Sequence, residues 1–221
     1  QRILAKGAVF AIAGEPKTTK TWCALELAIA VAAGVKAFGQ FAPCGAPSDV
    51  ALFLAEDSEF DARKRLLALG RHHGLTPEQT LARIHISTRQ HLNLSDRTDV
   101  VRLIAALHAL PSRPAMVVLD PLANVARIEN ENDAGQMVLV GDAFRTVRDT
   151  LESAVVFIHH SAKSTGDNGR RRGGQKMRGS SALHAAVDGG LYLSNVETDG
   201  HSEWENDIET ESRGFRGAGK F

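Results

Sequence analysis

Between residues 14 and 21 the chain reads Gly14-Glu15-Pro16-Lys17-Thr18-Thr19-Lys20-Thr21. A short loop that opens with glycine and closes on lysine and a hydroxyl residue carries the groups needed to hold a string of phosphates. Backbone N–H groups of such a loop and of the next helical turn point into one concavity, and the helix dipole adds positive potential there. In that reading Lys20 reaches the outer phosphates and the Thr21 hydroxyl takes a Mg²⁺ position. The glycine that ordinarily precedes the lysine is replaced by Thr19, whose Cβ crowds the approach of backbone to phosphate. Helical torsions tolerate threonine, so room is the expected difficulty, and the Thr19 hydroxyl offers phosphate a further donor. A strand–turn–helix crossover that merely carries Lys-Thr is the other reading of this stretch.

Three more sets of polar residues close apolar runs: Glu56-Asp57, Asp120 and His159-His160. An aspartate ending an apolar strand suits a carboxylate that holds the Mg²⁺ shell, through water or Thr21. Glu56 suits a general base that orients or deprotonates an attacking water. His159 or His160 suits a group that hydrogen-bonds a phosphate oxygen or that water. Each also has a plain structural reading: a strand-end acid, a helix-capping carboxylate and a buried core histidine.

The elements that must position these groups alternate. Apolar runs at 9–13, 50–55, 116–120 and 154–158 read as strands, and shorter ones are expected at 83–87 and 190–194. Helices are expected over about 20–33, 58–69, 95–110, 135–152 and 180–187, with a helical turn at 76–79. Gly34 ends the first, Ser58 caps the second, Ser95 or Asp96 caps the third, and Pro111 and Pro114 stop it. Residues 121–134 read as irregular, and 203–213 as one or two strands. Unbroken apolar strands alternating with helices imply an α/β fold, a doubly wound, mostly parallel sheet with helices on both faces; the C-terminal strands are expected to be antiparallel. In such a sheet ligands bind beyond the carboxyl ends of the strands, where all four polar sets fall.

Composition bounds the rest. At 221 residues, 43% hydrophobic and 24% charged, the chain suits a single globular domain over 1–221. Lys+Arg and Asp+Glu both number 26, so any nucleic-acid signal must be local. Two cysteines, Cys23 and Cys44, without metal-type spacing suit a reduced, cytoplasmic setting. No apolar run approaches the ~18–20 residues of a membrane span, and no signal peptide is legible. The chain begins at Gln1 and ends at Phe221 after a Gly-rich stretch, as expected of a fragment of a longer protein.

Five blocks in order carry a resemblance: 13–22 around the loop, Leu54-Ala55-Glu56-Asp57, Val117-Val118-Leu119-Asp120-Pro121, Phe157-Ile158-His159-His160-Ser161-Ala162-Lys163, and Arg178-Gly179-Ser180-Ser181-Ala182-Leu183. Together they resemble the RecA-like P-loop ATPases of the RepA type, an AAA-type branch related to hexameric DnaB-like replicative helicases. The resemblance implies ATP and Mg²⁺ as cofactors, with Gly14 to Trp22 as the nucleotide-binding run. It places the histidine-ending strand between the loop strand and the Asp120 strand, which would set His159 and His160 beside the terminal phosphate. It also implies Glu56 as catalytic base, Asp120 on the metal with Thr21, and Arg65 as a phosphate contact; a solvent-facing Arg65 is the alternative. Where RepA-type helicases carry an arginine reaching into the neighbouring subunit, this chain has none near Asp188. Arg213 or Arg216 is the expected substitute.

The stretch 164–178 is rich in glycine and carries Arg170, Arg171, Arg172, Lys176 and Arg178. Such a loop suits sequence-independent, salt-sensitive contact with single-stranded DNA, and the resemblance implies that it lines the central channel of a homo-oligomer, a hexameric ring in the family. A solvated insert or a protein contact is the other reading. The expected function is therefore an ATP-hydrolysing motor in DNA replication. The alternatives are a regulatory RecA-like ATPase without translocation, and a nucleotide-binding structural module.

Overall fold

The computed structural model describes residues 3–88, 92–126, 133–160, 181–195 and 206–212. Among the described residues, seven strands form one sheet in the order β3-β2-β4-β5-β1-β6-β7. They are β1 (Val9–Gly14), β2 (Val50–Leu54), β3 (Ile84–Ser87), β4 (Met116–Asp120), β5 (Ala154–His160), β6 (Gly189–Asn195) and β7 (Asn206–Ser212). The first six run parallel. C-terminal strands expected to be antiparallel divide: β6 lies parallel to β1, and β7 pairs antiparallel with β6. The crossover from β5 to β6 carries a helix, and a helical crossover returns the chain to the same end of the sheet and so yields a parallel strand.

Helices cover both faces. On one lie α1 (Lys20–Ala33), α2 (Glu59–His72) and α3 (Pro77–Leu81). Their Leu25, Ile29, Ala62 and Leu66 pack with Ile12, Leu52, Val118 and Ile158 of the sheet. On the other face are α4 (Arg97–His108), α5 (Leu122–Ala126), α6 (Ala134–Leu151) and α7 (Ser181–Ala186). There Leu103, Val125, Phe144 and Leu183 pack with Val9, Ala11, Val117 and Phe157. Strand residues therefore alternate between two apolar layers, which is why the strands read as continuous apolar runs. Phe144 and Phe157 stack with centroids 4.8 Å apart, joining α6 to β5.

Local signals place the elements. Ser58 accepts from Asp61 N at the start of α2, Thr76 and Gln79 form a reciprocal cap on α3, and Asp96 rather than Ser95 caps α4. Gly34 closes α1 at φ 73, its N–H bonded to Ala30 O. The stretch after β4, expected to be irregular, contains α5, begun by Asn124 N and Val125 N donating to Pro121 O. It is held because Leu122, Val125 and Ala126 are all buried. Glu26 of α1 meets His73 at the end of α2 at 3.0 Å and accepts from Phe38 N at 2.8 Å. That contact fastens the two helices beside the loop strand. Cys23 is core, its thiol pushed up to about 12 by burial. Among the described residues no helix is long and apolar enough to cross a membrane.

Phe144→Ala should lower unfolding free energy by about 3–5 kcal/mol, since it empties a fully buried ring site. Chemical denaturation checks this, with a shifted midpoint and an unchanged slope as the expected result.

Candidate active site

The carboxyl ends of β1, β2, β4 and β5 lie side by side, because β5 sits between β1 and β4 as the family resemblance implied. A cavity of about 210 Å³ opens there, and Lys20, Thr21, Glu56, Asp120 and His160 face it, with Lys17, Thr18, Thr19, Trp22 and Arg65 around them. Residues far apart in sequence meet because parallel strands deliver all their ends to one edge.

The loop from Glu15 to Thr19 closes on itself. Glu15 O accepts from Thr18 Oγ1 at 2.7 Å and from Lys20 Nζ at 2.6 Å, and Lys20 Nζ also lies 3.3 Å from Thr18 Oγ1. Lys20 is buried, and loss of solvent holds its ammonium below the usual lysine range despite the opposing pull of Asp120. Gly14 is required by a close approach: a Cβ there would stand 2.6 Å from both Leu193 O and Thr18 Oγ1. Gly14, Glu15 and Pro16 shape the loop without lining the cavity; Glu15 contributes its carbonyl.

Thr19 corrects the expectation of helical torsions. Its φ is 55 and ψ 21, in the left-handed region, and Lys17 is also left-handed at φ 68. Torsion is therefore the cost of threonine here, on the order of 1–2 kcal/mol relative to glycine's free access to that region. The Thr19 hydroxyl donates to Thr18 O at 2.7 Å, so it supports the loop.

Thr21 Oγ1 donates to Asp120 Oδ2 at 2.7 Å, joining the two positions expected to hold magnesium. Burial pushes the Asp120 carboxyl up to about 6; Asp57 and Glu56 push the same way, while the Thr21 bond and Lys20 oppose. Hydroxyl and carboxylate oxygens beside further acids are hard donors that fit Mg²⁺, which keeps waters and takes its remaining ligands from phosphate. Among the described residues no group of three or more His, Cys, Asp or Glu is clustered as a metal set of its own.

Glu56 is exposed at the rim, and Asn124 Nδ2 of α5 donates to its Oε1 at 3.3 Å. Sequence reasoning missed Asn124, because the segment holding it read as irregular; its place shortly after Asp120 was the available signal. Arg65 lines the cavity with its side chain 31% exposed, and its Nη1 lies 2.5 Å from Asp57 Oδ2. The two histidines separate. His160 lines the cavity with Ile158, whereas His159, 1% exposed, does not. Neighbouring strand residues point to opposite faces, so both could not face the phosphates. The expectation of His159 as a nucleotide contact is corrected on that ground.

Asp188, where an arginine would stand in the RepA-type pattern, accepts from Val9 N at 2.9 Å and lies 3.7 Å from Arg148. Arg170, Arg171, Arg172, Lys176, Arg178, Arg213 and Arg216 lie outside the described residues.

Comparison with known proteins gives one family and one fold. The AAA domain family profile matches residues 1–166. The structure is similar to the RadB recombinase, with TM-score 0.63 and 18% identity, covering 98% of this chain and 86% of that one. A second solved structure, an ATPase domain, is similar at TM-score 0.66 and 16% identity, covering 98% and 80%. A KaiC-like protein from the hyperthermophilic archaeon Pyrococcus horikoshii OT3 gives 0.64 and 13%, covering 98% and 85%. At these identities the likeness establishes the RecA-like fold.

Thr19→Gly and Thr19→Ala both remove the hydroxyl bond and differ in backbone freedom. The glycine variant should be the more stable of the two by about 1 kcal/mol, read from denaturation midpoints of the nucleotide-free protein.

Proposed function

The chain belongs to the AAA domain family, and from that premise we propose that it hydrolyses ATP with Mg²⁺ as an oligomeric RecA-like motor of the RepA/DnaB type acting on single-stranded DNA. The observation that carries the reading is the meeting of Lys20, Thr21, Asp120, Glu56 and His160 around one cavity. A buried lysine, a hydroxyl–carboxylate pair and an exposed carboxylate are the parts that phosphoryl transfer to water needs.

In this mechanism the amides of 18–21 and the Lys20 ammonium hold the phosphates, Lys20 exchanging Glu15 O for phosphate oxygen. Thr21 and Asp120 would hold Mg²⁺, which when bound neutralises charge on the β- and γ-phosphates. Glu56 orients a water and takes its proton as the water oxygen bonds to the γ-phosphorus and the bond to the bridging oxygen of ADP breaks. Asn124 steadies Glu56. His160 hydrogen-bonds a γ-phosphate oxygen and so reports its loss along β5, while Arg65 approaches a phosphate across its pair with Asp57.

Arg213 or Arg216 of a neighbouring copy would complete the transition-state charge, and the cations at 170–178 would follow the DNA backbone. A regulatory ATPase without translocation is the second reading, favoured by equal totals of 26 cationic and 26 acidic residues. Salt-dependent binding to single-stranded DNA separates the two.

ATP turnover with Mg²⁺, with and without single-stranded DNA, is the test. Lys20→Ala should abolish turnover, and Glu56→Gln should lower it by about a hundredfold or more while leaving ATP bound. Turnover should rise with DNA and with protein concentration. ATP bound but never hydrolysed would set the enzyme aside and leave a nucleotide-binding module.

A further inference from the structure

Trp22 is the large apolar side chain that α1 leaves exposed, at 38%, while Cys23 to Ala30 behind it are all buried. It stands one residue beyond Thr21 and faces the same cavity. We infer that Trp22 is the platform on which the nucleobase stacks, and that the site reads the ring face of the base and so accepts ATP and GTP alike.

This rests on the phosphate-site reading above and adds to it the other end of the ligand. Glu56 and His160 mark where the terminal phosphate ends. Lys20, Thr21 and the loop amides mark the path of the phosphates toward the first turn of α1. A linear triphosphate laid on that path delivers its nucleoside over Trp22. Size points the same way. The cavity holds about 210 Å³, below the roughly 300 Å³ at which pockets begin to enclose a whole drug-sized ligand. A cavity of that size does not enclose a whole nucleotide, which leaves the base at its mouth, beside Trp22.

An indole 38% exposed beside a polar cavity offers an apolar face that a base can cover. Stacking on an aromatic ring is tolerant of base identity, because every base has a π-face. Discrimination between adenine and guanine needs hydrogen bonds to the base edge, and the indole N–H is one donor at the ring's rim, away from its stacking face.

Calorimetric titration of the full chain with Mg²⁺ and non-hydrolysable analogues of ATP and GTP, beside inorganic tripolyphosphate, tests the proposal. Trp22→Ala should weaken both nucleotide analogues by about tenfold or more and leave tripolyphosphate affinity unchanged. Trp22→Phe should restore most of the loss, which a merely structural role of the indole would not predict. Unchanged nucleotide affinity in Trp22→Ala overturns the platform, and so does an equal loss for tripolyphosphate, since the ring would then act on the loop. An ATP analogue bound about tenfold or more tighter than its GTP counterpart overturns the shared acceptance of purines. Wild-type protein that binds tripolyphosphate but gains nothing from the nucleoside refutes this inference alone. Failure to bind either tripolyphosphate or nucleotide refutes the phosphate site beneath it as well.

Discussion

An ammonium group removed from water must be given oxygen, and the site is built around that requirement at Lys20. Lys20 is 6% exposed, and its ammonium is given Glu15 O and Thr18 Oγ1. Glu15 O is available because the chain turns tightly between β1 and α1, and the fully buried Thr18 ties that turn by donating to the same carbonyl. The turn in turn needs Gly14, where any Cβ would collide with Thr18 and with the backbone of β6. Asp120 carries the complementary burden, a carboxylate raised to about 6 by its own burial. At both residues burial is the largest cause of the shift, and it outweighs the partners that favour the charged form. In the proposed mechanism a polyanion accompanied by a divalent cation would answer both, giving the lysine anionic oxygen and the carboxylate a cation.

Sheet order turns these local demands into one site. From β1 the chain crosses to β2 and β3, then returns through β4 and β5, so that β5 fills the place between the loop strand and the Asp120 strand. Gly14 pairs in register with His160, and Leu54 with Asp120. The polar residues thus end their strands at nearly one level. Shifting β5 by one residue would turn His159 into the cavity and bury His160, because side chains alternate with a period of two. The same shift would exchange Phe157 and Ile158 between the two core layers, each entering a site packed for a side chain of different size and shape.

The sequence displays what depends on period and composition. Apolar runs identify β1, β2, β4 and β5, and the polar residues closing them identify most of the cavity wall. Gly34, Ser58 and the capping pair Thr76 and Gln79 mark helix ends because capping is a local interaction. What remains hidden depends on three-dimensional direction. Two adjacent histidines look equivalent until the pleat sends one to each face. Arg65 on α2 leaves a phosphate contact and a solvent-facing side chain both open in the sequence, and only the placing of the helix across the strand ends brings it to Asp57. α5 is too short to show periodicity, so Asn124 is placed by tertiary burial of its neighbours and not by propensity. Thr19 is misread for a related reason: residue type reveals crowding, but the sign of φ at a loop end is set by the closure of the whole loop.

That closure explains how a threonine holds a position where glycine is usual. Lys17 and Thr19 both take positive φ without being glycine, and strained torsions persist only where the surroundings over-determine them. Here they do. Thr18 is fixed to Glu15 O, Thr19 Oγ1 to Thr18 O at 2.7 Å, and Cys23 N to Thr19 O at 3.1 Å. Backbone that reverses handedness between successive residues turns its amides toward a common concavity, the arrangement that binds anions. A glycine at 19 would visit both hands in the absence of ligand, and binding would have to select one. Threonine in a braced loop stores the cost in folding instead, leaving less to order when phosphate arrives. On this argument the departure at Thr19 alters when the ordering cost is met, and the concavity itself is retained.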